Sequence, residues 1–260
     1  MADYVLFRKS RNALSSVLHV SLNLILAVGS IFITFITKSP LLGIILVLIS
    51  KWRTFAVRPR YLFLNLKSNI VDLVVGISFV LIAYCAGENL LAIHFILATL
   101  YAVWLTVLKP RSSEFATCLQ ALASVFLGTT AAVLMSANAD SIFMCLAIFI
   151  ICYGAARHVL VQSDDEDFSI IPVAAGLLGA EFAWLSQSWL IVYSFGSLGI
   201  ILPQLTIILT AVSYLFGFVY RSLMKNDWKL KWQEIALPSI FTLVLIAILV
   251  IGFSQPIFNV

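Results

Sequence analysis

Charge is what this sequence has least of. Lys, Arg, Asp and Glu make up 11% of its 260 residues, whereas hydrophobic residues make up 62%. A soluble globular domain carries about a quarter charged residues and is about half apolar. The surplus apolar surface here exceeds what one water-soluble core can hide, so lipid must serve as its solvent. The loops between apolar runs are short, and none could fold as a separate domain. A nucleic-acid partner would need a continuous basic face outside the membrane, and no segment is long enough to build one.

Catalytic signatures are missing too. The chain contains no Walker A sequence, no HExxH, no GxSxG and no GxGxxG opening a helix after a strand. Its cysteines, Cys85, Cys118, Cys145 and Cys152, lie in or at the ends of apolar runs without CxxC spacing, which speaks against zinc or dithiol chemistry. The last apolar runs hold no lysine for a retinal Schiff base, and no arginine recurs every third residue as in a voltage sensor.

What is present is a series of apolar runs. A helix crossing about 30 Å of hydrocarbon needs roughly 20 apolar residues. The pattern predicts an all-α polytopic transmembrane bundle, a single integral membrane domain of roughly nine spans. They lie near 13–36, 41–57, 70–86, 90–108, 115–135, 142–156, 169–185, 200–220 and 236–253. Eight result if the first two merge. The first run is too long for a signal-peptide core and reads as a retained span. Between 189 and 200 the chain is expected to hold a short interfacial piece.

The basic residues set the orientation. With nine spans and a cytoplasmic N-terminus, every Lys and Arg except Lys38 falls in an inner loop or at an inner helix end. A bacterial cytoplasmic membrane is the expected location. Trp52, Arg53, Arg58 and Arg60, and further on Trp228 and Trp232, read as interfacial anchors that place aromatic rings and cations at headgroup level.

Ionisable groups inside a span are costly and therefore informative. Glu181 lies within the seventh span and His94 within the fourth, both in the outer half. A shared depth would let them form a proton or ligand site. Glu181 could equally bond a neighbouring helix or reach outer water. Ala175, Gly176, Gly179 and Ala180 form small-xxx-small pairs suited to close helix packing. His19 and Asn23 share a face of the first span and read as packing residues. A bis-histidine haem would need a partner for His19 at matched depth, and His158 lies near an interface instead.

Two acidic features face the cytoplasm. Asn69 and Asp72 open the third span within Lys67-Ser68-Asn69-Ile70-Val71-Asp72, where the helix dipole favours an acid. The run Asp164-Asp165-Glu166-Asp167 precedes the seventh. Nine spans with an Asp-rich loop between the sixth and seventh resemble the intramembrane UbiA-type prenyltransferases. The resemblance covers topology and that one loop. It implies a site for Mg²⁺ and an isoprenoid diphosphate built from Asn69, Asp72, Asp164, Asp165 and Asp167. The sequence departs from the family pattern in its short first motif and in its packed, unspaced second one.

Three functional readings follow. The leading expectation is a non-enzymatic scaffold or subunit of a membrane complex, whose partners are the bilayer and other membrane-protein subunits. The second is a carrier or lipophile-binding protein built on Glu181 and His94. The third is a prenyltransferase-like enzyme. No cofactor is expected, except Mg²⁺ under the third.

Overall fold

A computed structural model describes residues 2–56, 58–87, 91–136, 140–160, 170–189, 191–195, 200–226 and 229–252, with the side chains of 2–16, 53, 59, 63–64, 189, 195 and 200 outside the description. The chain is a helical bundle. Its helices are α1 (Ala2–Thr37), α2 (Pro40–Ser50), α3 (Trp52–Phe55), α4 (Pro59–Ser68), α5 (Ile70–Cys85), α6 (Leu91–Val103), α7 (Glu114–Ser136), α8 (Ser141–Leu160), α9 (Ile170–Ser186), α10 (Gln204–Lys225) and α11 (Trp232–Ala247). Helix α6 runs on as a π turn, Trp104–Leu108, and α11 as another, Ile248–Gly252.

Among the described residues, six helical segments are long and apolar enough to cross a membrane: Val17–Thr37, Leu91–Leu108, Glu114–Ser136, Ser141–Leu160, Gln204–Lys225 and Trp232–Gly252. Helices α4 and α5 meet at a 66° bend and together make up to one more. The remaining apolar helices, α2 and α9, have 11 and 17 residues. At about 1.5 Å per residue α2 is shorter than the hydrocarbon layer is thick.

The first two runs do not merge. Lys38 takes a left-handed backbone conformation (φ 52°), which ends α1. Ser39 then caps α2 by accepting from the Leu41 amide at 3.4 Å, and Pro40 fits the first helical position. The two helices fold onto each other so closely that a Cβ on Gly43 would sit 2.2 Å from Thr34 Oγ1.

Elsewhere the bundle is held by the packing that lipid demands. Lipid tails are as apolar as leucine, so helices associate through close fit and polar ties rather than hydrophobic burial. Helix α9 packs chiefly on α8, and a Cβ on Gly179 would meet Cys152 Sγ at 2.5 Å. The small residues of α9 thus serve helix packing. One buried cluster joins α1, α5 and α6 around Ile31, Val75 and Tyr101. Another joins α7, α8 and α10 around Val125, Ile148 and Leu209.

Between α9 and α10 the chain forms an antiparallel pair, β1 (Val192–Phe195) with β2 (Ile200–Pro203), in register Val192 to Pro203. This takes the place of the expected interfacial piece and moves the start of the following helix to Gln204. Pro203 stands at the N-cap of α10.

Candidate functional site

Polar side chains gather at one end of the bundle, where α2, α6, α8 and α10 finish and α5, α7 and α11 begin. Asp72, in the first turn of α5, is the centre of the first group. Lys51, at the end of α2, donates to its Oδ2 from a largely buried position. Lys109 reaches the same oxygen at 2.8 Å. The Trp104 indole approaches Oδ1 at 3.5 Å. One carboxylate therefore ties the ends of α2 and α6 to the start of α5, and the group carries one surplus positive charge.

A second tie lies beside it. Gln120 of α7 donates from Nε2 to the carbonyls of Leu108, at 2.6 Å, and Arg111, at 2.9 Å. Those two bonds orient the amide, so its Oε1 accepts from His158 Nε2 at 2.8 Å. His158 is thereby a donor at Nε2, spent on joining α8 to α7. A third tie joins α10 and α11: Glu234 accepts from Ser222 Oγ at 2.8 Å and Asn226 Nδ2 at 3.1 Å. Sequence reasoning singled out Asp72 but not its partner Lys51, nor Gln120 and Glu234, which make the other two ties. Their common signal was a polar residue within two turns of a helix end.

The acidic candidates divide. Asp72 is engaged by two lysines. Asn69 lies nearby but bonds locally, with its amide donating to Asn65 O at 2.9 Å. Asp164, Asp165 and Asp167 lie outside the described residues. Among the described residues no group of three or more His, Cys, Asp or Glu side chains could hold a metal ion.

His94 and Glu181 are not brought together. His94 is buried, with Nε2 at 3.1 Å from Ala83 O and its ring edge-on to Phe35 at 4.7 Å. Helix α6 packs on α1 and α5, whereas α9 packs on α8. Glu181 faces outward, on the same exposed stripe as Val173, Leu177 and Trp184. It makes no hydrogen bond or ion pair among the described residues.

Trp52 and Trp232 are exposed, as are Arg58 and Arg60, and the Arg60 guanidinium sits 4.6 Å from the Tyr61 ring centre. The Arg53 side chain and Trp228 lie outside the described residues. His19 and Asn23 stand 3.5 Å apart on an exposed stretch of α1.

No protein-family profile matches the chain, and no curated protein or solved structure is significantly similar to it.

Proposed function

We propose that this chain is a non-enzymatic subunit of a larger membrane complex, crossing a bacterial cytoplasmic membrane about nine times with its N-terminus inside. Two features of the interior favour a frame over a reaction centre. Asp72, Gln120, His158 and Glu234 are spent on tying helices together. In addition, α1 and α2, and α8 and α9, approach at glycine contacts too tight for a Cβ.

The observation that carries the reading is Glu181. A carboxyl group in this apolar, outward-facing stripe loses its hydration and gains no bond among the described residues. An unpaired acid in hydrocarbon costs on the order of 3 kcal/mol near a helix centre and less toward the helix end. Glu181 is just over one turn from the end of α9, and its neighbours Leu177 and Trp184 are apolar. A transmembrane helix of another subunit, with a Lys or Arg at this depth, would relieve that cost through a charge-assisted hydrogen bond.

A photo-crosslinking residue at position 181, with sequencing of the joined peptide, tests this. The expected product is a membrane segment of another protein carrying Lys or Arg. Glu181→Leu is expected to abolish the larger species in mild detergent without changing the melting point of the isolated chain. A joined peptide from α9 itself would make the partner a second copy. A wild-type chain that runs only as a monomer in mild detergent would overturn the subunit reading.

A further inference from the structure

Helices α7, α8, α9 and α10 do not close completely at the basic end. A vestibule of about 570 Å³ opens there, with Glu114 and Cys118 of α7 on one side and Arg221 and Lys225 of α10 on the other. It shares Cys118, Val159 and Arg221 with a narrower apolar cavity of about 90 Å³ that runs on between the helices. The two form one groove with a charged mouth and an apolar interior.

The groove is a product of α10's sequence. Ser213, Gly217 and Arg221 recur at four-residue spacing and share one face. Gly217 is buried, yet no atom lies within 4 Å of the place its Cβ would occupy. This is the reverse of Gly43 and Gly179, where glycine permits contact. At Gly217 the absent side chain leaves space. The interior cavity cannot hold a whole acyl chain, but Leu178 of α9 and Phe216 of α10, which border it, are exposed to the lipid side. A chain could therefore lie along the groove with part of its length in the bilayer.

Among the described residues the mouth is lined by two cations, Arg221 and Lys225, and one carboxylate, Glu114, and Lys225 also interacts electrostatically with Glu234 of α11. Arg221 donates Nε to Gly217 O at 3.2 Å, which pins the guanidinium beside the groove, and among the described residues its terminal nitrogens make no hydrogen bond to a side chain. Among the described residues it has no acidic partner. Glu234, the nearest acid on α11, already accepts from Ser222 and Asn226. We propose that this groove binds a membrane lipid with an anionic phosphate headgroup, Arg221 and Lys225 holding the phosphate while the hydrocarbon chain lies beside Gly217. This site is separate from the Glu181 face and does not depend on the subunit reading.

The test uses the full chain in dodecyl maltoside, with bound lipid counted by native mass spectrometry during titration with phosphatidylglycerol, phosphatidylcholine or inorganic phosphate. One tightly held phosphatidylglycerol is expected, at least tenfold better retained than phosphatidylcholine. Arg221→Gln with Lys225→Gln should lower that retention about tenfold. Gly217→Leu keeps every charge and fills the groove, and should lower it as much. The Leu variant also decides the matter should the double variant aggregate. Equal retention by wild type and Gly217→Leu would overturn the proposal. So would equal retention of the two lipids, or binding of inorganic phosphate without lipid.

Discussion

Lys51 and Asp72 lie 21 positions apart in sequence and share a largely buried hydrogen-bonded ion pair, which joins the end of α2 to the first turn of α5. Helix α2 has 11 residues, and this pair fixes where its C-terminal end sits beside α5. Lys109 adds a second, more exposed cation, 40% accessible.

Removing one partner of a buried pair strands the other charge. Asp72→Asn is therefore expected to destabilise the detergent-solubilised chain by about 3 kcal/mol. Replacing both partners, Lys51→Met with Asp72→Leu, should recover more than half of that loss, because neither charge remains buried. Lys109→Gln should cost less than about 1 kcal/mol, since its ammonium is partly solvated. Thermal unfolding of the four chains, followed by tryptophan fluorescence, gives the ranking.

Gly43 and Gly29 make a matched pair of tests in the first hairpin. A methyl group at 43 would collide with Thr34 and with Ser30 O, whereas at 29 it would meet nothing within 4 Å. Gly43→Ala should lower the melting point by several degrees. Gly29→Ala should leave it unchanged or raise it slightly through helix propensity, about 1 kcal/mol at most. Equal effects would mean that α1 and α2 are not in close contact.

The end of α11 depends on a side chain from α10. Buried Gln204 donates from Nε2 to Leu249 O at 2.7 Å, within the π turn Ile248–Gly252. Gln204→Leu removes that donor, with an expected cost of about 1–2 kcal/mol. Hydrogen exchange should accelerate at residues 248–252 and stay unchanged in α8.

Topology reporters examine the pass count directly. Alkaline phosphatase fused after Asn138 is expected to be active, on the outside, and inactive when fused after Arg111 or Asn226. Tags at the two chain ends should report opposite sides. Tags reporting one side would remove a pass from the map and reverse the assignment of every loop beyond the error.

Much of the fold was legible because hydropathy and helix length are linked by a fixed rise per residue. The run expected at 115–135 is α7, Glu114–Ser136, and that at 142–156 is the larger part of α8, Ser141–Leu160. The stretch expected at 41–57 is broken into α2, Pro40–Ser50, and α3, Trp52–Phe55. Lys51 ends α2 there, because its ammonium turns to Asp72 instead of continuing in an apolar run. The β1–β2 pair was not legible, since strand pairing depends on which residues return to meet, not on local apolarity.

The candidate site was legible only in part. Asp72 stood out as an acid at a helix start, but its lysine partners come from α2 and from beyond α6, and no local pattern joins them. Glu181 stood out as a carboxylate within a span, and a companion in His94 was inferred from depth alone. Depth follows from position in the sequence. Facing direction depends on which neighbour a helix packs against, and α9 turns its glycines, not its carboxylate, toward α8.

The residues by themselves determined that this chain folds as apolar helices, roughly where most of them begin and end, and that basic residues collect at helix ends. All of that depends on sums over local segments: transfer into lipid, helix rise and the placement of charge. Tertiary structure alone decided that Asp72 is neutralised twice over, that Glu181 faces outward and that Gly217 borders open space. Those outcomes depend on the rotation of each helix about its axis, which close packing between distant segments sets.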